Sequence, residues 1–356
     1  MSTIYFFSRY GFYASSSRLR VFSLHNKLSI KNYCNTINVL FNDNRFALSG
    51  LTQRIRFLFL FIISCIKRIL IVRRISKNDI VFIQYELIPF FSSYLEMRIK
   101  RTGAKLVLDF DDSFHLSYKN SYFGFLKKKY DTLISNADLI ITGSPSLTTY
   151  MLQHNQNVIE IPTTVPSLYE VHTDLNQKQT FSIGWIGSAT TSKYLDQIAP
   201  ILMDFLSKYQ DASLILIGYS GNTFHDCSNV QVITWSDSNE KNYLPKIDVG
   251  VMPLVDDAWS NGKCGFKLIQ YMAAGKPTIS TPLHANKKID GGIGNLFATS
   301  STEWLGALEY LHDHKDIAQA IGAKNRIRAE EQYIFSAVLP RYNDVFNKLF
   351  NSISAK

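Results

Sequence analysis

The chain has 356 residues, 46% of them aliphatic, aromatic or cysteine and 19% charged, too apolar for a disordered chain and too long for one ordinary core, so two globular domains are expected. Its formal charge of +9 sits in the first half: residues 1–170 hold 21 Lys/Arg against 11 Asp/Glu, while residues 171–356 are nearly balanced. That asymmetry suits an anionic partner, but no zinc-finger, basic-zipper or aromatic RNA-binding signature accompanies it, so nucleic acid is set aside; the four cysteines, at unrelated spacings, indicate neither a disulfide framework nor a zinc site.

The first residues, MSTIYFFSRYGFYASSSRLR, lack a basic start, an apolar run and a small-residue cleavage site, so a cytoplasmic location is expected. A greasy segment follows at 54–75, RIRFLFLFIISCIKRILIVRRI, clamped by Arg54, Arg56, Lys67, Arg68, Arg73 and Arg74. Its uninterrupted apolar core, residues 57–66, has about half the length that spanning a bilayer requires. Two readings fit it: a buried helix of the first domain, or a helix lying on an anionic membrane surface with its cations at the headgroups.

Short β-branched runs then recur at 79–84, 105–110, 139–142 and 158–162, each leading into a helical stretch, and the series resumes at 181–187, 213–218, 230–234, 249–253 and 277–281. Near-continuous apolar strands alternating with amphipathic helices predict parallel sheets covered on both faces. Residues 163–180 are polar, contain Pro166 and have no period, as a linker would. The expected division is a doubly wound, Rossmann-like domain at 1–168, a linker at 169–180, a second such domain at 181–335 and a terminal helix at 336–356 that breaks at Pro340. Ligands of such sheets bind at the carboxyl ends of the strands, so chemistry is sought in a cleft between the domains.

Three motifs stand at strand ends. In DFDDSFH, residues 109–115, three carboxylates and an imidazole fall within seven residues. Asp112 or His115 could deprotonate a hydroxyl or orient a sugar, the DxD string could bind a divalent metal, and a capping or salt-bridge role is the plain alternative. Tyr85 and Glu86, after the preceding strand, should face the same place. In GWIGS the strand runs into Gly187 and Ser188, with a helix expected near Ser192 and Lys193 in its first turn, the ingredients of an anion site or of an ordinary capped turn. It is not the dinucleotide fingerprint, because Thr190 stands at the third glycine position.

The third motif is NGKCGFKLIQYMAAGKP, residues 261–277. On a helix starting near Gly265, residues Phe266, Leu268, Ile269, Met272 and Ala273 share one packing face. Lys267, Gln270 and Ala274, with Tyr271 beside them, line the side expected to be open to a ligand. Gly275 and Pro277 should stop the helix. A pyrophosphate would accept hydrogen bonds from the amides of Gly265, Phe266 and Lys267, with Lys263 or Lys267 countering its charge; an exposed helix with solvated lysines is the plain reading.

The run PLVDDAWSNGKCGFKLIQYMAAGKPTIST, residues 253–281, resembles the donor-binding segment of the family 4 retaining glycosyltransferases of the GT-B fold, in a bacterial surface-polysaccharide branch. ASSSRLR at 14–20, the DFDD strand end, ADLIITGS and GWIGS extend the resemblance over nearly the whole chain. It implies two Rossmann-like domains facing a central cleft, a first acceptor-side domain, a second nucleotide-sugar-binding domain, and a C-terminal helix crossing back to the first. It implies a hexosyltransferase that moves a sugar with retention from a nucleoside diphosphate sugar to a glycan or lipid-linked acceptor, without cofactor or metal.

The residue readings above and the resemblance together place the donor against Arg18, Gly187, Ser188, Lys193, Asp257, Gly262, Lys263, Cys264, Gly265, Phe266, Lys267 and Gln270, and the acceptor near Tyr85, Glu86, Asp111, Asp112 and His115. Asp112, His115 and Lys267 are the candidate catalytic groups. Many members carry two glutamates seven residues apart, one for the sugar and one for the ribose. Gly262 and Gln270 occupy those positions, so Asp256 or Asp257 would have to substitute. An epimerase or hydrolase of the same fold, and a sugar-nucleotide-binding protein without activity, are the alternatives.

Overall fold

The computed structural model describes residues 2–31, 33–41, 43, 51–170, 180–224 and 227–354. The chain divides into two units, Met1–Thr163 with Val338–Lys356, and Thr164–Ala337.

The first unit holds β1 (Ser2–Tyr10), α1 (Ser23–Lys27), β2 (Tyr33–Phe41), α2 (Leu51–Val72), β3 (Ile80–Gln84), α3 (Tyr94–Arg101) and β4 (Lys105–Phe110). It continues with α4 (Gly124–Lys127), α5 (Lys129–Asn136), β5 (Leu139–Thr142), α6 (Pro145–Leu152) and β6 (Val158–Glu160). The strands form one parallel sheet in the order β2-β1-β3-β4-β5-β6.

Strand alternation divides the apolar residues between two faces. Val81 and Ile83 of β3 and Leu106 and Leu108 of β4 join Val72, Ile99, Leu133 and Met151 in one core. Ile80, Phe82 and Val107 face the other way, where Leu24 of α1 and Val338, Tyr342 and Phe346 cover them. Strands packed on both sides read as continuous apolar runs, which is why β3 to β5 are legible in the sequence. The edge strand β2 alternates between half-buried and exposed positions along most of its length.

The second unit contains β7 (Phe181–Ile186), α7 (Ala189–Asp196), α8 (Ala199–Lys208), β8 (Ala212–Ile217), β9 (Val230–Ile233), α9 (Asp237–Tyr243) and β10 (Val249–Met252). It goes on through α10 (Phe266–Ala273), β11 (Thr278–Ser280), α11 (His284–Asp290), β12 (Leu296–Phe297), α12 (Ser301–Asp313) and α13 (Lys315–Gln332). Its parallel sheet has the order β12-β11-β10-β7-β8-β9. Leu202 and Phe205 of α8 and Trp304 and Leu308 of α12 cover one face with Trp185; α10 covers the other with Ile215 and Ile217. Two parallel, doubly wound sheets with helices make this an α/β chain.

Residues 171–179 of the expected linker lie outside the described residues. The residues before them are built into the second unit: the Val165 amide donates to Tyr333 O at 2.9 Å, and the Tyr169 hydroxyl donates to Glu240.

The last helix, α14 (Phe335–Ser354), runs through Pro340 without the expected interruption. Pro340 is the sixth residue of the helix and exposed, so it removes one hydrogen bond near the helix start and its ring stays out of the core. Packing of Val338, Tyr342 and Phe346 on the first sheet outweighs that loss.

Candidate functional site

In the second unit the strand order reverses between β7 and β10, the topological switch point where a doubly wound sheet opens a crevice. The ladder between these strands stops at Gly184 and Gly250. Beyond it the Tyr271 hydroxyl bridges the gap, accepting from the Ile186 amide at 3.1 Å and donating to Val251 O at 3.1 Å. Gly250 is required beneath this ring, because a Cβ there would lie 2.2 Å from Tyr271 Cγ.

Helix α10 starts at this point. Its N-cap, Gly265, is left-handed (φ 65°, ψ 23°) with no side-chain capping hydrogen bond. A Cβ on Gly265 would sit 2.3 Å from Ile289 Cδ1, so glycine is demanded by conformation and by space. The helix ends as the sequence predicts: Gly275 has φ 70°, and the Gly275 and Lys276 amides donate to Met272 O and Tyr271 O, both at 2.9 Å, the paired bonds of a Schellman motif.

The side of α10 expected to be open is mostly closed. Gln270, Tyr271 and Ala274 are buried, while Lys267 and Phe266 are half-buried. Tyr271 looked polar enough for a ligand face, but both roles of its hydroxyl are taken internally. Lys267, in the first turn, places Nζ 5.4 Å from the Trp185 ring centroid, a cation–π contact joining α10 to β7.

Gly187 belongs to the same cluster: a Cβ on it would fall 2.3 Å from the Trp185 ring, and its amide donates to Ile217 O at 2.9 Å. Helix α7 begins at Ala189 with Ser188 as N-cap, three residues earlier than the sequence suggests, because Thr190 and Thr191 act as partners of the cap. The Ser188 amide donates to Thr191 Oγ1 and its hydroxyl meets Thr190 Oγ1, each at 3.0 Å. This start is therefore occupied by its own side chains, unlike the glycine cap of α10. Lys193 accordingly falls in the second turn, exposed, with Nζ 5.1 Å from the Tyr194 ring.

The turn before α10 is organised by two exposed aspartates. Asp257 Oδ1 accepts from the Ser260 amide and Asp256 Oδ1 from Asn261 Nδ2, each at 2.6 Å. Gly262 is buried, Lys263 and Cys264 half-buried, and the Lys263 amide donates to Ser260 O at 3.0 Å. The buried Ser260 hydroxyl has no hydrogen-bond partner.

In the first unit the DFDDSFH residues have separate employments. Asp109 forms a buried ion pair with Arg20: Nη2 is 2.6 Å from Oδ1 and Nε 2.9 Å from Oδ2. Arg20 also donates to Ile161 O at 2.9 Å. Asp111 accepts from the Tyr85 hydroxyl; burial pushes its carboxyl up to about 6, with neighbouring Asp109 and Asp112 raising it and Arg20 opposing. Tyr85 has a positive φ of 64°, and its ring lies on Phe114 with centroids 4.0 Å apart. Asp112, half-buried, accepts at Oδ1 from the Ser113 amide at 2.9 Å.

His115 is 9% exposed, and its Nδ1 is buried with no hydrogen-bond partner. Burial, with help from Lys119 and His154, pushes it down to about 4, so it is neutral at pH 7. Its ring lies against Tyr150 at 4.2 Å. Glu86, also buried, is held by Arg9 at 2.7 Å, by Lys129 and by the Tyr118 hydroxyl at 3.1 Å. Burial alone would raise its carboxyl, but the two cations outweigh it and hold it ionised. Arg18 is half-buried with its guanidinium 6.0 Å from the Phe12 ring. The sequence reading missed Arg20, Trp185 and the pairing of Glu86 with Arg9 and Lys129; Arg20 and Trp185 carried a signal, lying in the ASSSRLR and GWIGS strings.

Residues 180–314 match the family model described as "Glycosyl transferases group 1". Among curated proteins none matches the chain. Solved structures similar to it include TarM of S. aureus, crystallised with fondaparinux, α-GlcNAc-glycerol and UDP, at 15% identity and TM-score 0.62 over 80% of this chain and 59% of TarM. Sucrose-phosphate synthase of Thermosynechococcus elongatus aligns at 13% identity and TM-score 0.73 over 99% of this chain and 100% of that one. HepE of Anabaena, solved in complex with UDP, aligns at 12% identity and TM-score 0.68, with 99% and 100% covered. At these identities the structural likeness is one of fold, and the chain spans about three fifths of TarM.

Proposed function

We propose that the chain is a retaining, metal-independent glycosyltransferase that moves a sugar from a nucleoside diphosphate sugar to a hydroxyl of a growing polysaccharide or lipid-linked glycan. The observation that carries this reading is the start of α10: a glycine-capped helix at the switch point of the second sheet, with Lys267 in its first turn against Trp185. The group 1 model covers this segment, and the fold is one in which other proteins have been crystallised with UDP.

The glycosidic bond from the anomeric carbon to the diphosphate breaks, and a bond to the acceptor oxygen forms on the same face of the sugar. Negative charge gathers on the departing diphosphate, and stabilising it is the main electrostatic contribution. First-turn amides of α10 supply fixed dipoles and Lys267 the countercharge. On the acceptor side His115 offers a neutral ring whose Nδ1 has no partner within the protein and can hydrogen-bond an acceptor hydroxyl, while the burial that keeps it neutral also makes it a weak base. Asp112 is the second candidate; Asp109 and Asp111 are committed to Arg20 and Tyr85.

Lys267→Met tests the reading. Calorimetry against a panel of nucleoside diphosphate sugars should find a ligand whose affinity falls at least about tenfold, the loss of one charge-assisted contact of about 1.5 kcal/mol, while Lys267→Arg keeps most of it. Unchanged binding and turnover in Lys267→Met would overturn the role. A donor-binding protein without transfer is the second reading, favoured by Gly262 and the buried Gln270 at the two glutamate positions; it would bind the donor and release no nucleoside diphosphate with any glycan acceptor.

A further inference from the structure

Helix α2 carries a surface that sugar transfer does not use. Its inner side is firmly placed: Phe57 and Phe61 stack on Phe41 of β2 at 5.7 and 5.3 Å. The buried Arg68 reaches past β2 to donate to Ser8 O at 2.5 Å and to Asn38 Oδ1 at 3.0 Å. These contacts fix the rotation of the helix about its axis. They leave Ile55, Leu58, Phe59, Ile62, Ile66 and Leu70 on the other side, between 47% and 63% exposed.

At about 100° per residue these six side chains fall within an arc of roughly 120° and run for about 22 Å along the axis. Arg54 lies beyond one edge of the stripe; Arg56 and Lys67 lie beyond the other, and all three are exposed. Arg73 and Arg74, also exposed, follow the helix, and no Asp or Glu occurs from residue 44 to residue 78. Helix α3, which packs against α2, is preceded by Phe90, 75% exposed in a left-handed conformation (φ 59°), a further outward apolar ring on the first unit.

A contiguous apolar stripe on a solvated helix calls for a partner. Bordering cations without a single intervening acid match an anionic, laterally extended surface with an apolar layer beneath it, which is the chemistry of a bilayer interface. Among the described residues no helix is long and apolar enough to cross a membrane, so the geometry is that of a helix lying in the plane. We propose that α2 docks the first unit on an anionic lipid bilayer, its stripe entering the acyl boundary and Arg54, Arg56 and Lys67 meeting lipid phosphates. The inference stands apart from the sugar-transfer reading.

The test is co-sedimentation of the full chain with phosphatidylglycerol-rich vesicles and with pure phosphatidylcholine vesicles. Binding should be confined to the anionic vesicles and fall with salt. Each cation near the surface contributes roughly fivefold, so Arg54→Glu/Arg56→Glu/Lys67→Glu should lower the partition coefficient about a hundredfold or more. Phe59→Glu/Ile62→Glu should lower it at least tenfold. All five positions are exposed, so thermal midpoints and nucleotide-sugar affinity should be unchanged in both variants; loss of that affinity would bear on donor binding, not on docking. In Phe59→Trp, emission should shift to the blue with anionic vesicles. Absence of vesicle binding, or equal binding by wild type and variants, would overturn the proposal. So would a dimer in solution that Phe59→Glu separates while vesicles are ignored, which would make the stripe an interface between copies.

Discussion

Tyr271→Phe isolates one oxygen atom at the point where β7 and β10 part. The ring that fills the space over Gly250 is retained, so no cavity forms. What disappears is the hydroxyl that accepts from the Ile186 amide and donates to Val251 O. Tyr271, Ile186 and Val251 are 0%, 3% and 0% exposed, so water does not replace it. A buried amide left without an acceptor costs about 1–3 kcal/mol, and the lost bond to the carbonyl about 1 kcal/mol more. A total of about 3 kcal/mol in a domain of this size corresponds to a midpoint lowered by roughly 6–12 °C. Calorimetry of the second-unit transition reads that shift directly. Donor affinity should fall with it, because Ile186 leads directly into Gly187. A midpoint within about 1 °C of wild type would refute the reasoning, since the strand ends would then be held without the hydroxyl.

Other outcomes follow from the same geometry. Arg20→Met leaves Asp109 buried without its bidentate partner and should cost about 3–5 kcal/mol in urea denaturation, with Arg20→Met/Asp109→Leu recovering most of it; a single-variant loss below about 1 kcal/mol would contradict the pairing. Gly265→Ala must hold φ 65° and meet Ile289 at 2.3 Å, so about 2–4 kcal/mol of stability should be lost, together with donor binding. Asp111, raised from 3.8 to about 6 by burial, favours the folded state most when protonated, so its stabilisation is complete below about pH 4 and lost as pH rises through 6. Urea midpoints from pH 4 to 7 should show Asp111→Asn gaining on wild type by up to about 3 kcal/mol across that interval. His115, lowered from 6.5 to about 4 by burial, acts with the opposite sign: its contribution is present above pH 6.5 and lost as pH falls towards 4, so His115→Gln should flatten the acid side of the wild-type curve.

Much of the fold was legible because buried parallel strands are continuous apolar runs: KLVLDF and LIIT coincide with β4 and β5. Strands β1, β2 and β12 went unnamed for identifiable reasons. β1 has Ser and Thr at its start, β2 interleaves Asn35 and Asn38 with apolar residues at the sheet edge, and β12 has two residues. At the candidate site glycine carried the information, since the stop at Gly275 and the turn at Gly265 are properties of the local backbone. The buried ion pairs were not legible, because their partners are distant in sequence: Arg20 finds Asp109 across 89 positions and Glu86 finds Arg9 across 77. Arg18 was chosen from the same string because periodicity does not say which of two arginines two residues apart turns inward. Tyr271 departs from its expected open position for a related reason: residue type announces a polar atom, and only the fold shows that both roles of its hydroxyl are taken within the protein.

The last helix makes the first unit discontinuous in sequence. Val338, Tyr342 and Phe346 cover Ile4, Phe6 and Phe82, yet on the ribosome they appear after the whole second unit has been made. At about 5–20 residues per second the waiting time is roughly 10–35 s. For that interval one apolar face of the first sheet is covered only in part, by Leu24 and its neighbours, while residues 164–337 can complete their own core. The half of the chain that is synthesised first therefore finishes folding last, and its nascent form is the species that chaperones would meet.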